Sequence, residues 1–395
     1  MAPIQVRPER FVAGGEALAR DVDGRVVFVR GGLPGELVDI DVTEQKPDWS
    51  RGVAVTVHES STDRVEPPCP QRRAGCGGCD WQHLAVGAQI AAKADIVRDA
   101  LRRTAKLPDA VVTVGASVPA EAYRTTIRVV GDRHGQPSYR QERSNDTVEA
   151  NGCLVAHPQL RTALNTMLIT PDLEVTLRTS VATGEVTARW DSQHGEVHGL
   201  SDDIVFGQNA YLTETINGKP LRVSSGSFFQ SGPEAAELLV EAVQRAAPEL
   251  ARAATVLDAY AGVGLFAAAA VRPEALVITV ENSKSAVADC RVNLKGRAFS
   301  AELSEFGRWR PPSDVSVDVV IADPARTGLG KPGVGTLVAI GAPVAVLVSC
   351  DPVALARDAQ LLHQHGYAHD GTEVLDLFPH THHVEAVTRF VRRTG

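Results

Sequence analysis

The sequence predicts an α/β chain: a doubly wound, Rossmann-like C-terminal domain behind a small N-terminal β-barrel and a mostly β central domain. Three observations predict it. TVLDAY, ALVITVE, VDVVIADP and PVAVLVSCDP are short continuous apolar runs, the mark of strands buried on both faces. Helical stretches separate several of them, which is the alternation that builds a parallel sheet. The earlier chain instead carries short Val-rich runs punctuated by Gly and Pro turn signals. At 395 residues the chain exceeds one ordinary core. The expected domains are 1–59, 60–220 and 221–395.

In the first domain, VDGRVVFVRG, GELVDIDV and RGVAVTVHE read as strands that a small barrel would close. Residues 60–80 form a Pro/Cys/Gly loop. LAVGAQIAAKADIVRDALRRT reads as a helix, with Ile90, Ile96, Val97 and Leu101 near helical spacing. From about 111 to 220 the chain is again β-like, with GD, HG, TG and NG turns. Ser231-Gly-Pro-Glu234 resembles a capping box opening a helix that runs to about Leu250.

Composition bounds function. Hydrophobic residues make up 44% and charged residues 22%, as in a soluble globular protein. No apolar run approaches the roughly 18 residues of a membrane span, and MAPIQVRPERF lacks a secretory h-region. A cytoplasmic monomer is the expectation. The net charge of −8 argues against non-specific coating of nucleic acid, which rests on phosphate neutralisation. It leaves room for an enzyme that reads one folded RNA locally. Of six cysteines, a clustered group in a reducing compartment reads as metal ligands.

Asp258-Ala-Tyr-Ala-Gly262-Val-Gly264 ends the first buried strand, where a glycine turn lets backbone approach a nucleotide ligand. Ala267 stands where a dinucleotide fingerprint needs its third glycine. Asp258 is placed to face a cationic amino-acid end, so the ligand expected is S-adenosylmethionine. Glu281 ends the next strand, placed to accept from ribose hydroxyls. The competing reading is an ordinary turn and a solvated glutamate.

Asp323-Pro-Ala-Arg-Thr-Gly and Ser349-Cys350-Asp351-Pro352 end two further strands, at the sheet edge where ligands sit in such folds. Cys290, mid-helix in AVADCRVNL, reads instead as a packed small hydrophobe. A pyrimidine C5 cannot attack a sulfonium methyl unaided. Thiolate addition at C6 gives C5 carbanion character, and a general base must then remove the C5 proton. Phe378-Pro-His-Thr-His-His-Val-Glu385 supplies a carboxylate. His380, His382 and His383 lack the spacing that puts two zinc ligands on one helical face.

Taken in order, FFQ at 228–230, DAYAGVG, DPARTG, SCDPVALARD and FPHTHHVEAV resemble the bacterial RNA 5-methyluridine methyltransferase family over the whole chain. The resemblance implies a class I methyltransferase domain in which Cys350 is the nucleophile and Glu385 the base. Gln230, Tyr260, Glu281 and Asp323 would be cofactor-pocket residues beside Asp258, Gly262 and Gly264. Asp351 departs from the family's usual asparagine. The N-terminal barrel resembles a TRAM domain, an OB-like RNA-binding module, yet residues 1–80 hold 10 Lys/Arg against 13 Asp/Glu.

Cys69, Cys76, Cys79 and Cys153 match members that carry a 4Fe–4S cluster. Spacing alone leaves structural zinc open. For the RNA partner, Arg124, Arg128, Arg133, Arg140 and Arg143 with Tyr123 and Tyr139 suit unstacked bases, or else are solvated strand faces. The target uridine would have to flip out of its stack. Phe228 and Phe229 would meet it or pack in the core. Alternatives are a cytosine or DNA acceptor, a non-catalytic RNA-binding protein that keeps the fold, and an NAD-dependent oxidoreductase. Intact Cys350 and Glu385 speak against the second, and the incomplete glycine fingerprint against the third.

Overall fold

The computed structural model describes residues 4–312 and 315–393. The first six strands, Ile4–Val6, Arg10–Phe11, Ala17–Arg20, Val26–Arg30, Leu37–Gln45 and Trp49–Glu59, form one sheet. Period-two alternation drives it: Val27 and Val29 on one strand and Val38 and Ile40 on another turn into a common core with Val6 and Ala19.

The central sheet has six strands. In spatial order they are Thr147–Glu149, Pro137–Arg140, Thr126–Gly131, Glu174–Thr179, Val186–Arg189 and Ile204–Phe206. Its last strand is an edge, paired in parallel with Val186–Arg189.

The C-terminal sheet has eight strands. Five are parallel, in the order Phe299–Leu303, Leu276–Glu281, Thr255–Ala259, Val319–Ala322 and Val344–Ser349. Glu385–Arg392 follows antiparallel, then Tyr367–Asp376, then Val112–Ser117. The apolar runs are buried on both faces, as their continuity predicts. Val256, Val277 and Ile321 face one hydrophobic layer, and their neighbours Leu257, Ile278 and Ala322 face the other. Helix Pro233–Ala246 covers the first layer. Helices Val86–Ala100, Gly330–Ile340 and Pro352–Gln364 cover the second.

Two features depart from the sequence reading. The segment containing helix Val86–Ala100 and strand Val112–Ser117 lies within 60–220 in sequence but packs onto the C-terminal sheet as its last strand and part of its cover. Its apolar stripe finds a deeper layer there. The capping box at Ser231 does not form: the helix starts at Pro233 with Gly232 at its cap and no side-chain cap. The Ser231 hydroxyl instead donates to the Leu377 carbonyl at 3.0 Å, tying this helix start to the segment that leads into Glu385. No helix among the described residues is long and apolar enough to cross a membrane.

Candidate active site

Sheet register assembles the site. The parallel strands end together at Tyr260, Glu281, Asp323 and Cys350. Strand Glu385–Arg392 runs the other way, so it begins at that same edge. Ser349 pairs with Ala386, which sets Cys350 and Glu385 side by side, 35 residues apart in sequence.

The electrostatics show the same cluster. Burial pushes the Cys350 thiol up to about 11, and the neighbouring Glu385 and Asp323 carboxylates add to it, with Arg326 as the opposing cation. Burial pushes Asp323 up to about 7. Glu385, 5% exposed, is raised well above the carboxylate range by burial and then by Asp323. Three titratable groups raised together by burial at one sheet edge are a pattern that functional sites use. Because the free thiol is protonated at neutral pH, carbamidomethylation of Cys350 should be slow at pH 7. It should quicken about tenfold per pH unit up to about pH 11. Peptide mass mapping of the Cys350 segment reads this out.

Asp351 caps helix Pro352–Gln364, its carboxylate accepting from the Ala354 N–H at 2.7 Å. An asparagine would accept the same bond, so the departure from the family pattern changes charge and leaves the cap intact.

At the glycine turn, Tyr260, Gly262 and Gly264 have φ of +59°, +54° and +86°. A Cβ on Gly262 would meet nothing within 4 Å, whereas one on Gly264 would strike the Cys290 sulfur at 2.9 Å. Gly262 therefore borders open space for a ligand. Gly264 is required by close packing on Cys290, which is buried as a small hydrophobe should be. Glu281 accepts from the Gly262, Asn282 and Ser283 N–H groups at 3.0, 2.7 and 2.7 Å, so its carboxylate is held at the strand end. Gln230 is buried and follows Phe229, which packs with Val263 of the glycine turn. These residues fit an adenosyl ligand with a ribose to bind.

Asp258 lies at the root of this turn. It is wholly buried and accepts from the Ala267 N–H at 2.9 Å, with its other oxygen unpartnered. Burial pushes its carboxyl up to about 7. It ties the glycine turn to helix Leu265–Ala269 through one oxygen and leaves the other without a partner.

The loop before Glu385 is held from behind by residues that sequence reasoning missed. Lys93, fully buried, donates to Asp376 at 2.6 Å and to the Phe378 carbonyl at 3.1 Å. Gln89 accepts from the His380 N–H at 2.6 Å, and Tyr123 donates to the Pro379 carbonyl at 3.1 Å. His382 is fixed by Asp80 at 2.6 Å. Thus the histidine run is a positioned loop. Burial, then His382 and Arg326, push His383 down to about 3, which keeps it neutral. The available signal was Lys93 itself, a lysine three residues after Ile90 and three before Ile96 on the apolar stripe.

Cys69, Cys76, Cys79 and Cys153 all line one cavity of about 650 Å³ with Arg124 and Tyr139. Burial pushes the Cys79 thiol up to about 12, a cost that a bound cation would relieve. The four-thiol donor set suits a metal centre. Among the described residues, however, no group of three or more His, Cys, Asp or Glu side chains stands in a metal-holding arrangement.

The arginine–tyrosine group divides. Tyr123 is buried, with Arg124 against it, and Tyr139 lies in the cysteine cavity. The Tyr123 ring is packed inside and offers no face to RNA, while the half-buried Tyr139 ring faces the cysteine cavity. Arg128, Arg140 and Arg143 pair with Glu174, Asp172 and Glu16. Phe229 packs into the core, and Phe228 is 73% exposed.

Residues 5–55 match the TRAM domain family. An uncharacterized RNA methyltransferase of Streptomyces avermitilis is 35% identical, over 95% of this chain and 94% of its own. The 23S rRNA (uracil(1939)-C(5))-methyltransferase RlmD of Shewanella piezotolerans is 30% identical, over 93% and 91%. The crystal structure of the Pyrococcus abyssi tRNA (uracil-54, C5)-methyltransferase with S-adenosyl-L-homocysteine matches with a TM-score of 0.74 at 23% identity. It covers 98% of this chain and 100% of that one, a likeness of fold. By these relatives and by its α/β architecture behind a TRAM domain, the chain belongs to the RNA methyltransferase family that includes the 23S rRNA uracil-C5 methyltransferases.

Proposed function

We propose that this protein, as a cytoplasmic monomer, methylates C5 of a uridine in structured RNA, with Cys350 as covalent nucleophile and Glu385 as base. One observation carries the reading. The Ser349–Ala386 register places a thiol and a buried, high-affinity carboxylate together at the carboxyl edge of the sheet, beside the glycine turn. The relatives named for uracil-C5 chemistry support it.

The half-buried Cys350 thiol gives its proton to solvent water, its sulfur adds to C6 of the flipped uracil, and the C5–C6 electron pair becomes an enolate. Gln230, Tyr260, Gly262, Glu281 and Asp323 would hold S-adenosylmethionine, with Asp258 and Gly264 shaping the turn; when bound it would supply the methyl group to C5 and leave as S-adenosylhomocysteine. Glu385 then removes the C5 proton, and the returning electrons expel the Cys350 thiolate. Burial and the field of Asp323 strengthen Glu385 as a proton acceptor for this step. RNA carrying tritium at uridine C5 tests it. Tritium should reach water in step with methyl transfer, and methylation that leaves the tritium in place would exclude C5 as the acceptor.

Glu281→Ala should weaken S-adenosylmethionine binding by about 5- to 150-fold, as expected for a lost carboxylate contact. Calorimetry on the folded variant checks this, and unchanged affinity would remove Glu281 from the pocket.

In the same reading, Cys69, Cys76, Cys79 and Cys153 hold a 4Fe–4S cluster that organises the loop next to Asp80 and Trp81. Anaerobically purified protein should contain iron and acid-labile sulfide. Stoichiometric zinc without iron would make the site a structural zinc centre instead.

A further inference from the structure

Sequence reasoning sought the RNA-stacking surface at Tyr123 and Tyr139; the fold buries Tyr123 and turns the half-buried Tyr139 into the cysteine cavity. Among the described residues three aromatic side chains are largely exposed: Phe206 at 60%, Tyr211 at 47% and Phe228 at 73%. Tyr211 is already occupied, since the Arg222 guanidinium lies 3.8 Å from its ring centre. Phe206 is different. It ends the edge strand of the central sheet and stacks on Trp190, with ring centres 5.4 Å apart and planes at 27°. Trp190 is itself packed on the central core, so it backs the Phe206 ring rigidly.

Beside it, Arg189 is exposed and has no ion-pair partner among the described residues. Its guanidinium lies over Gly226, close enough that a Cβ there would stand 2.8 Å away. That glycine belongs to the segment 224–227, which Arg178 pins by bonds to the Ser224 and Ser227 carbonyls at 3.1 and 2.8 Å. Ser225 donates to the Gly207 carbonyl at 3.0 Å, joining this segment to the residue after Phe206. The chain then runs directly through Phe228 to Gln230.

We propose that Phe206, backed by Trp190, is a stacking platform for one base of the RNA strand that flanks the target nucleotide, and that Arg189 takes an adjoining phosphate. The occupant is single-stranded RNA for three reasons. An open π-face beside an unpaired guanidinium matches a base and its phosphate. The tract is continuous with the segment that enters the cofactor region. The chain's family acts on RNA, so the proposal rests on that membership and not on the uracil-C5 chemistry.

The test is equilibrium binding of an oligouridylate of about twelve nucleotides, a length within the range such grooves track, to the full-length protein across a salt series. Phe206→Ala should weaken binding by about 5- to 150-fold. Phe206→Tyr should retain affinity. Phe206→Leu, which keeps apolar area without a π-face, should behave like the alanine variant. Arg189→Ala should lower the slope of log affinity against log salt by about 0.7, the value for one phosphate of a single strand.

Wild-type affinity in Phe206→Ala and Phe206→Leu, with folding intact by circular dichroism, would overturn the platform. So would sedimentation showing that Phe206→Ala dissolves a dimer while RNA affinity stays unchanged, which would make this face a contact between two copies. Loss of tritium release with platform binding intact would instead refute the uracil-C5 reading alone.

Discussion

Replacing Glu385 by glutamine is expected to leave the enzyme tethered to methylated RNA. The thiol of Cys350 still adds to C6 and the methyl group still reaches C5, but the C5 proton has no acceptor, so the carbon–sulfur bond cannot be released. A denaturing gel run with methyl-labelled cofactor, and with RNA from cells lacking the protein, should show label migrating with the protein. Cys350→Ala should form no such species, and methylation should fall to background. The contrast follows from the pairing of Ser349 with Ala386, which sets the two side chains at one edge with distinct tasks. Absence of an adduct in Glu385→Gln, together with methylation by Cys350→Ala, would refute covalent catalysis here.

The largest stability effect is expected at Lys93. Its ammonium and the Asp376 carboxylate are both fully buried and 2.6 Å apart. Lys93→Ala leaves an unpaired carboxylate inside the sheet cover, a change that costs about 3–5 kcal/mol. Lys93→Met with Asp376→Leu removes both charges and should recover most of that loss. Urea unfolding followed by circular dichroism measures it. A Lys93→Ala variant as stable as wild type would mean that the pair is not closed to water. Because Lys93 also donates to the Phe378 carbonyl, the single variant should lose activity even where it remains folded.

What was legible in the sequence divides by range. The parallel strands were readable because burial on both faces demands unbroken apolar runs. The glycine turn was readable because Gly262 and Gly264 need positive φ. Cys350 and Glu385 were identifiable from their motifs, while the reason they meet is a register between strands that no local pattern encodes. At Asp258 the strand-end position suggested a ligand contact, while the bond that one of its oxygens accepts from the Ala267 N–H is set by the turn and was not legible. The strand Val112–Ser117 looked like part of the central β region, because strand propensity does not say which sheet a strand will join. The buried place of Tyr123 was not legible, because nothing in composition separates an aromatic that packs inside from one that faces solvent. Phe206, which does lie at the surface, and Trp190 packed behind it gave no periodic signal.

The central claim is that a methyl group is placed on C5 of uridine. Nucleoside analysis by mass spectrometry tests it most directly, after incubating the purified protein with methyl-labelled S-adenosylmethionine and RNA from cells lacking the protein. The account predicts label in 5-methyluridine, dependent on Cys350. Label in a methylated cytidine, on a ribose hydroxyl or on uridine N3 would contradict it.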